Sequence, residues 1–98
     1  MKHFSLMFFF FMFNYLNSQD LKLYEKESFV YENDTLNYRI LKPLNYNPNK
    51  QYPVHLFLHG SGERGNDNSS QLTHGGMLFL KKENREKYNS WVIFPQCS

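Results

Sequence analysis

The chain has 98 residues, enough for one small domain or for a piece of a larger one. Eleven basic side chains stand against nine acidic ones, so no basic stripe predicts a nucleic-acid partner and no acidic tail predicts a basic one. A lone cysteine, Cys97, excludes an internal disulfide framework and a cysteine-built metal site.

The first element is a targeting segment. Lys2 and His3 precede "FSLMFFFFMF", which holds six of the ten phenylalanines. "NYLNSQ" then turns polar, and Ser18 is a small residue suited to cleavage before Gln19. This layout predicts a secretory signal peptide over residues 1–18, with an uncleaved anchor or a core strand as the alternatives. A spanning helix takes ~20 apolar residues, so no stable membrane span is expected beyond the signal. Export places residues 19–98 outside the cell, in the periplasm or in the cell envelope.

"SFVYENDTLNYRILKP" predicts a hairpin: Phe29–Tyr31 and Leu36–Leu41 flank a polar centre, Asn33-Asp34, of residues that tolerate positive φ. Leu36, Tyr38 and Ile40 alternate with Asn37, Arg39 and Leu41, which predicts an apolar face on the first set. "PLNYNPNKQYP" is a loop. "VHLFLHG" predicts a strand over Val54–Leu58 buried on both faces. A long polar loop follows, then a short helix over Lys82–Tyr88, then a second buried strand, Trp91–Phe94, stopped by Pro95. An antiparallel pair leading into parallel strands joined by a crossover is an α/β arrangement. Two buried strands and one weak helix do not close a sheet with two faces to cover. The reading is therefore the beginning of a larger α/β domain; the alternative is a small α+β domain complete in itself.

Gly60, Gly62 and Gly65 spell G-x-G-x-x-G after the third strand, the dinucleotide fingerprint. That reading fails. Asn66, Asp67, Asn68, Ser69 and Ser70 are a poor helix opening, Glu63 would repel a diphosphate, and "PQCS" offers no acid for a ribose. No cofactor is expected. His-Gly-x-Gly at a strand end fits an oxyanion hole, where fixed backbone N–H groups meet charge developing on a carbonyl oxygen. Gly60, Ser61 and Gly62 supply a small-residue turn, in the loop after the third strand that α/β-hydrolases use for one such donor.

On these residues the chain resembles a known family. "YPVHLFLHGSGERGNDNSSQLTHGG" followed by "WVIFPQCS" is similar to the amino-terminal part of secreted α/β-hydrolases of the esterase and prolyl-oligopeptidase-like type. Among them it resembles bacterial carboxylesterase, phospholipase and polyhydroxybutyrate-depolymerase-like proteins. The match runs roughly from Leu36 to Ser98. It implies an N-terminal part of an α/β-hydrolase fold, an ester or peptide substrate, and Ser61 as the residue whose backbone N–H helps hold the oxyanion. No G-x-S-x-G is present, and in the family the nucleophile, acid and histidine all follow this point. No nucleophile, acid or base is therefore assigned in this chain.

The remaining polar residues receive plainer readings. His59 braces the loop by hydrogen bonds and His55 is a packed strand histidine. His74 caps the loop or borders the active-site mouth. Glu63 and Arg64 pair to fix the loop, or Arg64 approaches a substrate carboxylate. His55, His59 and His74 lack the spacing of a zinc site, so no metal is expected. Cys97 reads as a buried small residue. Asn33-Asp34-Thr35 and Asn68-Ser69-Ser70 match the glycosylation sequon. Two functions stay open: a secreted serine hydrolase of carboxylesterase, lipase or peptidase type that takes its oxyanion loop from this segment, and a non-catalytic exported fragment or small binding module.

Overall fold

The computed structural model describes residues 20–98, and the expected signal segment lies outside them. Strands β1 (Glu25–Tyr31) and β2 (Asp34–Leu41) form the hairpin, paired antiparallel from Glu25↔Ile40 to Tyr31↔Asp34. The turn is Glu32-Asn33, one residue earlier than the predicted centre. Asp34 is already paired, and Glu32 carries the positive φ, 55°. β1 starts four residues before the predicted Phe29. All of its residues are exposed, so Glu25, Lys26 and Glu27 join the backbone ladder without desolvating their charges.

Strand β3 (Val54–Leu56) runs parallel to β4 (Trp91–Gln96), and β4 is antiparallel to β2 on its other side. The sheet order is β1-β2-β4-β3, an antiparallel hairpin leading into a parallel pair joined by a crossover. β3 is shorter than predicted, although Phe57 N still donates to Ile93 O at 3.0 Å. β4 does not stop at Pro95. Trp91 N donates to Pro53 O, so the odd-numbered amides of β4 face β3. The nitrogen of Pro95 therefore points past the end of β3, where no strand asks for a donor. Cys97 is next in that row, and its N–H meets His59 Nε2 at 2.9 Å.

The crossover carries two short helices, α1 (Gly76–Leu80) and α2 (Lys82–Lys87). The second matches the predicted helix to within one residue. The first was unforeseen because Gly75-Gly76 reads as a break. A Cβ on Gly75 would lie 2.7 Å from Cζ of Phe57, so glycine lets that ring sit against the helix start. The core is Tyr24, Leu41, Leu72, Val92 and Phe94, with Phe57 and Phe79 packed against it. Phe94, fully buried, stacks on Phe57 at 4.8 Å and meets Tyr24 and Phe79 edge to face at 5.3 and 5.9 Å.

Two expectations about faces are corrected. The face of β2 that packs on the core carries Arg39 and Leu41, while Leu36 is exposed. Nor is β3 buried on both sides: Val54 and Leu56 are 59% and 61% exposed, because the helices cover one face of the described sheet.

Arg39 explains the first reversal. Only 6% exposed, its guanidinium replaces water with chain carbonyls. Nε donates to Tyr24 O at 3.0 Å, one terminal nitrogen to Asn68 O at 3.0 Å and to Ser69 Oγ at 3.4 Å, and the other to Leu21 O at 3.1 Å. Burial lowers its pKa, and the Tyr24 phenol opposes that. One side chain thus ties the segment before β1 and the loop after β3 to the middle of the sheet. Arg39→Met should cost roughly 2–4 kcal/mol by leaving buried carbonyls without donors. Arg39→Lys should restore less than half of that loss, since an ammonium lacks the planar fork that reaches separate acceptors. Urea unfolding of the two variants checks the order.

Candidate active site

The loop after β3 is built as a strap rather than a free turn. After Gly60 the chain makes one tight 3-10 turn, Ser61–Glu63, closed by Glu63 N to Gly60 O at 3.2 Å and Arg64 N to Ser61 O at 3.4 Å. Gly65 takes φ 149°, a conformation that suits glycine, and its N–H donates to Cys97 O at 3.0 Å. Gly60 has an ordinary φ of −80°. A Cβ on Gly62 would meet nothing within 4 Å. Gly62 thus leaves the loop surface open to an approaching molecule, whereas a Cβ on Gly60 would lie 3.2 Å from the Glu63 Oε1 that caps the turn.

His59 joins this turn to β4. Its Nε2 accepts from Cys97 N at 2.9 Å, so Nδ1 carries the ring proton and is the donor to Gly60 O. Both ring nitrogens are engaged, which leaves neither for proton transfer. Glu63 Oε1 accepts from Gly60 N at 3.0 Å, and Oε2 lies 3.5 Å from His74 Nε2. Glu63 is thus partnered by His74 and not by Arg64, a correction to the expected pair. Arg64 lines a concavity of about 460 Å³ beside the turn, together with Leu36, Leu58, Ser61, Pro95 and Cys97.

The amides of the turn divide into two sets. Gly60, Glu63, Arg64 and Gly65 all spend their N–H groups on the acceptors just named. Ser61 N–H and Gly62 N–H have no acceptor among the described residues. The strap therefore carries two unspent backbone donors, and one of them, Ser61, lines an open, largely apolar hollow beyond the carboxyl ends of the parallel strands. Such donors suit an oxygen that gains negative charge.

A second ring of residues, unforeseen from the sequence, holds the strap down. Asn68, with φ 52°, is buried. Its N–H donates to Gln96 Oε1 at 2.8 Å, Nδ2 donates to Tyr38 O at 3.2 Å, and Oδ1 accepts from Gln71 Nε2 at 2.6 Å. Gln71 also donates to Phe94 O. Gln96 Nε2 donates to Glu63 O at 3.1 Å and to Asp67 Oδ1 at 2.8 Å. The sequence signal for these residues was their amide chemistry, which reads equally well as loop polarity. With its amide buried and engaged, Asn68 is not an accessible sequon, whereas Asn33 lies in the exposed hairpin turn. Cys97 is exposed, contrary to the buried reading, because the strand leaves the covered part of the sheet before reaching it. His55 packs on Phe79 and bonds to Ser90, far along β3 from the turn. Among the described residues no group of three His, Cys, Asp or Glu is placed to hold a metal, and no helix is long and apolar enough to cross a membrane.

Comparisons with known proteins bear on the fold. A solved crystal structure of a thermostable esterase matches with a TM-score of 0.72 and 29% identity, over 80% of this chain and 22% of that one. Neither protein-family models nor curated proteins give a match. The described residues thus have an α/β-hydrolase-like fold, and the chain spans about a fifth of the esterase it resembles.

Asp67 pins the base of the strap. Ser70 Oγ donates to its carboxylate at 2.6 Å, Gln96 Nε2 at 2.8 Å, and the Ser70 and Ser69 amides at 3.1 Å each. These donors, the Ser70 hydroxyl foremost, hold the carboxyl well below the usual range. A depressed folded-state pKa means that the unfolded chain binds the proton first. The stabilisation is then complete above the unfolded value of about 3.9 and is lost as the pH falls from there toward the folded value. Urea midpoints measured from pH 5 to pH 3 should fall, and Asp67→Asn should flatten that acid limb while lowering stability at pH 7.

Proposed function

We propose that this chain is part of an exported serine hydrolase of esterase type, to which it contributes the oxyanion-hole loop. The observation that carries the proposal is the pair of unpartnered amides, Ser61 and Gly62, on a braced turn beside the concavity. The esterase likeness supports ester hydrolysis as the reaction class.

As a nucleophile adds to an ester carbonyl, the carbonyl oxygen becomes an oxyanion. The Ser61 N–H donates to it, and a second donor comes from the residue after the nucleophile. Leu36 and Leu58 give the hollow an apolar lining for the body of an ester. His59, Glu63 and Gln96 do no proton chemistry in this account. They fix the turn so that the amide needs no reorganisation when charge appears.

The 98 residues contain no G-x-S-x-G, so the nucleophile, acid and base come from other polypeptide. Small-molecule esters are the proposed substrates, and residues 1–18 direct the protein to the cell envelope or beyond.

In an enzyme that joins this segment to its nucleophile, Ser61→Ala should keep most of kcat, because the backbone N–H remains. Ser61→Pro removes the donor and should lower kcat by roughly 10²–10³-fold, equivalent to about 2.7–4 kcal/mol. The 98-residue chain alone should hydrolyse p-nitrophenyl acetate at the background rate. Robust turnover by that chain, abolished by replacing His59 or His74, would place the chemistry elsewhere.

A further inference from the structure

We infer that a second cavity, between the helices and the amino ends of β3 and β4, is a binding site for a small carboxylate with a flat apolar body. It has a volume of about 260 Å³, near the lower end of the roughly 300–1,000 Å³ usual for small-molecule sites. It lies beside His55, Ser90 and Val92, whereas the hollow at Ser61 lies past the other ends of the same strands. The inference therefore stands apart from the proposed hydrolysis.

The walls combine apolar and polar side chains, with Tyr88 contributing both a ring and a hydroxyl. Leu41, Leu78, Phe79 and Val92 supply the apolar part, and no Asp or Glu lines the cavity. Arg85 is its one charged lining residue. One terminal nitrogen of Arg85 donates to Lys42 O at 2.9 Å, and the rest of its guanidinium has no acceptor among the described residues. Of the lining amides, Asn84 donates to Leu78 O, and Asn89 exchanges hydrogen bonds with the backbone of Leu44.

His55 adds a second donor, and its tautomer follows from burial. Nδ1 lies 2.8 Å from Ser90 Oγ, and Ser90 is 5% exposed. That hydroxyl has no other partner among the described residues. Were Nδ1 to donate, the hydroxyl proton would be buried without an acceptor, so the hydroxyl donates and Nδ1 accepts. The ring proton is then on Nε2, which has no acceptor among the described residues. A cation with donors to spare and a neutral N–H, on two residues that line a hollow free of acidic groups, form a donor set that a carboxylate satisfies.

Titration of the full chain with phenylacetate and, separately, with phenylacetamide tests this, because the pair shares a shape and differs in charge. Calorimetry should give phenylacetate at least about tenfold tighter binding. Arg85→Met should bring phenylacetate to the level of the amide, and Leu78→Trp, at a half-exposed position, should block both ligands by filling the hollow. The His55 Nε2 resonance should move on titration of the unmodified chain. Equal affinity for the two ligands, no binding of phenylacetate, or binding indifferent to both substitutions would each overturn the assignment.

Discussion

A guanidinium with no carboxylate beside it holds this structure together. Arg39 sits under the sheet at 6% exposure and bonds to the carbonyls of Leu21, Tyr24 and Asn68. A buried charge is costly unless each donor finds an acceptor. Here the acceptors belong to the segment before β1 and to the loop after β3, and the loop has a second tie to β2 through Asn68 Nδ2 and Tyr38 O. Arg39 is thus the strand residue that reaches both the segment before β1 and the loop after β3. Tyr24, placed by the same contact, closes the core against Phe94 and donates from its hydroxyl to Gly76 O at 2.7 Å. Burial pushes that phenol's pKa up, with Arg85 and Arg39 acting in the opposite sense.

The strap inherits its stiffness from that anchor. Arg39 fixes Asn68, Asn68 engages Gln96 and Gln71, and Gln96 reaches forward to Glu63 and Asp67. His59 closes the circuit at Cys97. Each bond in such a chain contributes modestly by itself. Together they turn a polar, glycine-bearing loop into a fixed surface whose remaining donors belong to Ser61 and Gly62. Oxyanion stabilisation depends on that kind of preorganisation, because donors that must first reorient lose most of their value.

Legibility in the sequence followed the type of force involved. The hairpin, the parallel pair and the crossover were readable because they rest on apolar periodicity and turn chemistry. The tight turn at Gly60, Ser61 and Gly62 was readable from small residues that follow a strand. The buried face of β2 was not, since Arg39 reads as a solvent-side residue until its carbonyl partners from distant segments are known. Helix α1 was hidden by Gly75-Gly76, whose smallness serves the Phe57 ring and not a break. Asn68, Gln71 and Gln96 were hidden for a related reason. A buried amide network has no periodicity, and its members lie up to 28 residues apart, as Asn68 and Gln96 do.

Residue-resolved amide hydrogen exchange of the protein tests the central claim, that a pinned strap leaves the Ser61 and Gly62 donors unspent. The amides of Gly65 and Asn68 should be protected, and those of Ser61 and Gly62 should exchange near the unstructured rate. Protection of Ser61 and Gly62 equal to that of Gly65, or fast exchange at all four positions, would contradict it.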